Sequence, residues 1–141
     1  MNINNIHKSN LNNKFLNLID IKLNNKKDST KESFEIAFKL IKDGYSNKLL
    51  NGPINKTSFL NKKFLGVTEY ISHKFSVKKF GMLIYNNKLS VCPVTTHLPI
   101  KLVAKKITKK LITEKILIVN NFYLKYFKFK PRIAVTGLNP H

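Results

Sequence analysis

The sequence predicts an α/β chain, and three observations predict it. Apolar residues recur at helical spacing in two stretches, residues 29–43 and 100–127. A pair of apolar runs flanks Asn86 and Asn87, residues that tolerate the positive backbone angles of a tight turn. Short apolar runs ending in Gly or Pro follow the helical stretches, as in a layered arrangement of helices over strands.

Taken in order, residues 1–13 are Asn-rich with little apolar content and are expected as a polar, disordered lead. "FLNLIDIKLN" alternates apolar and polar positions through Leu16, Leu18, Ile21 and Leu23, which suits an edge or linker strand. Ser29 and Glu32 have the spacing of a capping box, Phe34, Ala37, Phe38 and Ile41 share a face, and Gly44 supplies a stop; a helix is expected over 29–43. "NKLLNGPI" reads as a strand broken at Gly52 and Pro53. A short helix is expected over "TEYISHKF", with the Thr68 hydroxyl as its cap and Gly66 loosening the entry.

"GMLIYNNKLSVCPV" is the hairpin candidate. After "TTHLP" a helical stretch runs to about Phe127 with a break near Thr108, and Ile112, Ile116, Val119, Tyr123 and Tyr126 form its stripe. Pro131 ends it and releases a last apolar run, Ile133–Val135, expected as a buried strand.

A chain of 141 residues with 43% hydrophobic content can bury one core, so one domain is expected. Cys92 is the only cysteine, which rules out an intramolecular disulfide framework and fits a reducing, cytoplasmic compartment. The N-terminus has no secretory apolar core, and no apolar run approaches the ~18 residues of a membrane span. The net charge of +19 suggests a polyanion partner at first sight. Yet Arg132 is the only arginine, the lysines are dispersed along the chain, and 18 asparagines point to an AT-rich coding bias. Phosphate and base recognition favours arginine's fork, so nucleic acid is not the expected partner.

Three loops lie just past expected strands: "NGPINK", "TTHLP" and "GLNPH". Ligands gather outside the carboxyl ends of strands in layered α/β proteins, which singles out His97 and His141 as possible ligands of a divalent cation. Their spacing alone is not diagnostic of a shared site, and a histidine before Leu-Pro also suits a helix entrance. His7 and His73 carry less. No dinucleotide fingerprint, Walker loop or cysteine–histidine cluster is present.

The order of motifs carries further. "NGPINK", "FLGVTEY", "VTTHLPI", "ITKKLI" and "PRIAVTGLNPH" resemble, in order and approximate spacing, the central section of the 4-hydroxythreonine-4-phosphate dehydrogenase family, from about Ser29 to His141. The resemblance implies a fragment of an α/β/α layered fold similar to isocitrate and isopropylmalate dehydrogenases, homodimeric in the full-length family, with the active site in a cleft between two domains. It implies oxidation of 4-phosphooxy-L-threonine by NAD or NADP to a 3-oxo acid. That acid decarboxylates to 3-amino-2-oxopropyl phosphate in vitamin B6 biosynthesis. A divalent cation (Zn, Mg or Co) would act as Lewis acid.

Carried over residue by residue, His97 and His141 match two of the family's three metal-binding histidines. Thr68 matches a substrate-binding threonine, and Val67 stands where the family usually has a substrate-contacting histidine. Asn55 and Lys56 match the family's loop motif and are expected near the cleft. The third histidine and the family's N-terminal glycine-rich loop are expected outside residues 1–141, so residues 14–141 are expected as an incomplete dehydrogenase segment that is inactive alone. A valine can neither donate nor accept a hydrogen bond, which keeps open a related dehydrogenase acting on 4-phospho-threonate. A non-catalytic, lysine-rich polyanion-binding module is the alternative from another class.

Overall fold

The computed structural model describes Lys14 and residues 16–21, 29–60 and 63–139. The polar lead, His7, Pro140 and His141 lie outside the described residues. The chain separates into two compact units, Met1–Asn61 and Lys62–His141.

In the first unit, helix α1 spans Ser29–Lys42 and helix α2 spans Lys56–Leu60. The apolar face expected for α1 is the one it buries: Phe34 and Phe38 are buried, as is Leu60 of α2. The Phe34 ring lies 5.6 Å from Phe38 and 4.8 Å from Phe59, so an aromatic cluster holds the unit's core. Each fully buried ring or aliphatic side chain contributes about 1.5–3 kcal/mol. Ser29 is the first helical residue, and its carbonyl accepts from the Ser33 hydroxyl at 2.8 Å. The helix stops where Gly44 takes a φ of 77°. There the Tyr45 N–H donates to the Leu40 carbonyl at 2.9 Å and the Gly44 N–H to that of Ile41 at 3.0 Å, which is a Schellman closure.

Of the strand expected over residues 15–24, residues 15 and 22–24 lie outside the described residues; its described part, 16–21, and the expected strand over 47–54 form no ladder among the described residues. Leu50 is 97% exposed, and residues 46–48 fold into a local turn in which the Ser46 hydroxyl bonds both the N–H and the carbonyl of Lys48. An extended segment becomes a strand only when another backbone offers it donors and acceptors, and among the described residues none does.

In the second unit, α3 spans Val67–Lys74, α4 spans Ile100–Lys106 and α5 spans Lys109–Tyr126. The break expected near Thr108 lies between α4 and α5, where the Thr108 hydroxyl accepts from the Leu111 N–H at 3.2 Å and caps α5. The expected hairpin exists in minimal form. Ile84 and Val91 exchange both backbone hydrogen bonds at 2.9 Å, and no longer ladder is built on them.

This short ribbon is held against α5 by side chains. Tyr85 stacks on Phe127 at 5.2 Å, the Tyr123 hydroxyl donates to Ser90 Oγ at 2.9 Å, and Lys115 Nζ donates to the Phe80 carbonyl at 2.5 Å. On the α5 stripe Ile112, Ile116, Val119 and Tyr123 are half-buried, whereas Tyr126 is exposed. The last apolar run differs from expectation. Ile133 and Val135 are extended but exposed, with no paired strand among the described residues. No helix among the described residues is long and apolar enough to cross a membrane.

Helix α3 ends as α1 does, but with a serine in the glycine position. The Val77 N–H donates to the Ser72 carbonyl at 2.8 Å, the Ser76 N–H to that of His73 at 3.1 Å, and Ser76 sits at φ 54°. A left-handed serine carries a steric cost that glycine does not. Ser76→Gly is therefore expected to raise unfolding free energy by about 0.5–1 kcal/mol, read as a higher denaturant midpoint at unchanged slope.

Candidate functional site

The start of α3 brings together residues far apart in sequence. Gly66 is the N-cap, in extended conformation and without a side-chain cap, and Val67, Thr68 and Glu69 form the first turn. Thr68 is thus the second helical residue, not the capping residue expected from the sequence. Both Val67 and Thr68 are half-buried. Glu69 lies in the turn whose free N–H groups favour a negative charge.

The Glu69 carboxylate lies beside the N-cap but takes its hydrogen bond from the loop "TTHLP". The Thr96 hydroxyl donates to Glu69 Oε1 at 3.0 Å across 27 residues of sequence. Glu69 Oε2 is buried and has no hydrogen-bond partner. The adjacent His97 is exposed and takes a φ of 55°, a left-handed conformation that few non-glycine residues adopt.

Gly66 explains how these groups come so close. A Cβ at this buried residue would lie 2.6 Å from Glu69 Oε2 and 3.0 Å from His97 Nε2, so the two side chains occupy the space that any other residue would fill. Glycine lets the ends of these two side chains approach the backbone; its own backbone angles are ordinary. The result is an exposed imidazole near a half-buried carboxylate, one oxygen of which is buried and unpartnered, at a helix N-terminus.

The first unit carries the other two residues singled out from sequence. Asn55 caps α2, its Oδ1 accepting from the Ser58 N–H at 3.2 Å, and Lys56 is the exposed first residue of that helix. The segment before them, Asn51 to Ile54, lines a cleft of about 340 Å³ together with Ser29, Thr30 and Ser33 of α1. Thr68 and His97 belong to the second unit, and each unit is described by itself.

Sequence reasoning passed over Glu69 and Thr96. The available signal was an acidic residue three positions after an N-cap glycine that has no side chain to complete a capping box. His73 is exposed, and its ring lies 5.2 Å from Phe64, which also meets Tyr70 edge-on at 5.3 Å. The Cys92 thiol is pushed up from its usual range, chiefly by burial, with Lys115 pulling the other way. It is a poor nucleophile at neutral pH.

Comparison with known proteins now bears on these residues. The family model for pyridoxal phosphate biosynthetic protein PdxA matches residues 3–141. The chain belongs to the PdxA family. Proteins named 4-hydroxythreonine-4-phosphate dehydrogenase are similar to it. The one from Hydrogenobaculum sp. is 39% identical over 97 residues, which cover 67% of this chain and 31% of that relative. The one from Aquifex aeolicus is 38% identical over 102 residues, covering 70% and 31%. The one from Sulfurihydrogenibium sp. is 33% identical over 135 residues, covering 89% and 42%. The chain thus spans about a third to two-fifths of the length of these relatives. No solved structure matches it significantly. The family has an α/β fold, of which the described residues show the helices and a single antiparallel bridge.

His97 offers an exposed imidazole with a buried carboxylate oxygen close by, while among the described residues no cluster of three or more His, Cys, Asp or Glu could hold a metal ion.

Two outcomes are expected from this geometry. Gly66→Ala places a methyl against the Glu69 carboxylate and the His97 ring. Both are side-chain ends that can shift, so the variant should stay folded and lose about 1 kcal/mol of unfolding free energy, measured by chemical denaturation. Iodoacetamide should alkylate Cys92 more slowly at mildly alkaline pH than it alkylates an unstructured cysteine peptide. Lys115→Met should slow the reaction further, since losing the cation raises the thiol pKa and reduces the thiolate fraction.

Proposed function

We propose that this chain is the central part of a dehydrogenase that oxidises 4-phosphooxy-L-threonine with NAD or NADP. The resulting 3-oxo acid loses carbon dioxide to give 3-amino-2-oxopropyl phosphate for vitamin B6 synthesis. The observation that carries this reading is the join between α3 and "TTHLP", where Glu69 bonds Thr96 and, with His97, borders Gly66, and Thr68 stands in the same first turn, in a chain whose family match covers residues 3–141.

In this reading His97 and His141 hold a divalent cation (Zn, Mg or Co), and a third histidine comes from outside residues 1–141. When bound, the cation supplies Lewis acidity toward the hydroxyl being oxidised, and the nicotinamide takes up hydride. The Thr68 hydroxyl binds the substrate from the first turn of α3, where free backbone N–H groups add to its donors. The full-length protein adopts the α/β/α layered fold and works as a homodimer with a cleft between its domains, to which Asn55 and Lys56 are adjacent. Residues 1–141 alone do not turn over.

Val67 supports a second reading. At the first position of α3 its half-buried isopropyl group makes no hydrogen bond, so a substrate with one polar contact fewer, such as 4-phospho-threonate, is the competitor.

A chimera tests the function directly. Residues 3–141 replace the matching stretch of the Aquifex aeolicus relative, and reduction of NAD or NADP is followed with each substrate. The expected result is turnover of 4-phosphooxy-L-threonine that His97→Ala abolishes. A folded chimera that prefers 4-phospho-threonate, or that turns over neither compound, would overturn the assignment.

A further inference from the structure

Glu69 is unusual among the described residues: its Oε2 is a buried side-chain oxygen with no hydrogen-bond partner. Leaving a carboxylate oxygen in that state is unfavourable unless a donor or a positive charge comes to it. Helix α3 offers its N-terminal dipole, but its free N–H groups do not bond this oxygen. The remaining polar group at the same place is His97, whose Nε2 borders the volume left open by Gly66 just as Glu69 Oε2 does.

We propose that Glu69 is a positioning residue for His97. Its Oε2 accepts the Nε2–H of the imidazole and thereby fixes the ring's orientation and leaves Nδ1 as the nitrogen that offers a lone pair to the cation. This inference rests on the reading of His97 as a cation ligand.

Three observations favour positioning over direct ligation by Glu69. The carboxylate is anchored from behind, because the Thr96 hydroxyl holds Oε1 at 3.0 Å and fixes the direction of Oε2. Oε2 is buried, so an incoming hydrated cation has no access to it, whereas His97 is exposed and its Nε2 borders the same space at Gly66. Thr96 and His97 are also consecutive. The residue that anchors the carboxylate therefore carries the ring along with it, and the left-handed turn at His97 brings that ring back over Gly66. A ligand histidine that donates its second ring N–H to a carboxylate is a recurrent way of setting both tautomer and basicity, and losing such a partner typically costs about 10–100-fold in metal affinity.

The test is a titration of the 141-residue chain with Zn2+, followed through the ¹⁵N shifts of its imidazole rings, which register weak binding and identify the coordinating nitrogen. In the wild-type chain the His97 shift should appear at Nδ1. Glu69→Ala should weaken Zn2+ binding at least 10-fold. Glu69→Gln is isosteric and keeps an acceptor oxygen, so it should recover a substantial part of that loss and remain folded even if the alanine variant does not.

Coordination through Nε2, or an unchanged affinity in a folded Glu69→Ala chain, would overturn the proposal. Equal loss in the Gln and Ala variants would overturn it in favour of Glu69 as a ligand. Zn2+ binding that His97→Ala leaves untouched would instead remove the cation assignment itself, an outcome distinguishable from failure of the positioning role alone.

Discussion

The hydrogen bond from Thr96 to Glu69 is the constraint on which the candidate site depends. It joins a loop to the first turn of a helix across 27 residues of sequence and is part-buried. Without it the carboxylate would have no fixed direction, and the left-handed turn at His97 would have no fixed neighbour. Gly66 is the counterpart of this bond. Its missing side chain leaves the room in which the carboxylate and the imidazole approach each other.

Around this join the second unit is organised by α5. The ribbon between Ile84 and Val91 has only one bridge, too little to stand alone in water. Aromatic contacts and two side-chain bonds to α5 supply what the backbone does not. The ribbon leads through Cys92 and Pro93 into "TTHLP", so its attachment to α5 lies a few residues before Thr96 and His97.

Helices were readable in the sequence because their signals are local. The stripe through Phe34 and Phe38, the stop at Gly44 and the break near Thr108 each involve residues within a turn or two of one another. The turn at Asn86 was readable for the same reason: the Asn86 side chain accepts from the Lys88 N–H at 2.9 Å. Strand pairing was not readable, because a ladder needs a second backbone, and an apolar run such as Ile133–Val135 looks the same in sequence whether or not that partner is present. In the site, the motif resemblance led to Thr68 and His97, but not to the pairing of Glu69 with Thr96. A contact across 27 residues leaves no periodic trace in a single sequence.

The central claim is that Thr96 and Glu69 act as one unit, and a double-mutant cycle with Thr96→Val and Glu69→Ala measures it most directly. A part-buried hydrogen bond to a carboxylate predicts a coupling of about 1–2 kcal/mol in unfolding free energy. Two effects that add to within about 0.3 kcal/mol would contradict the account.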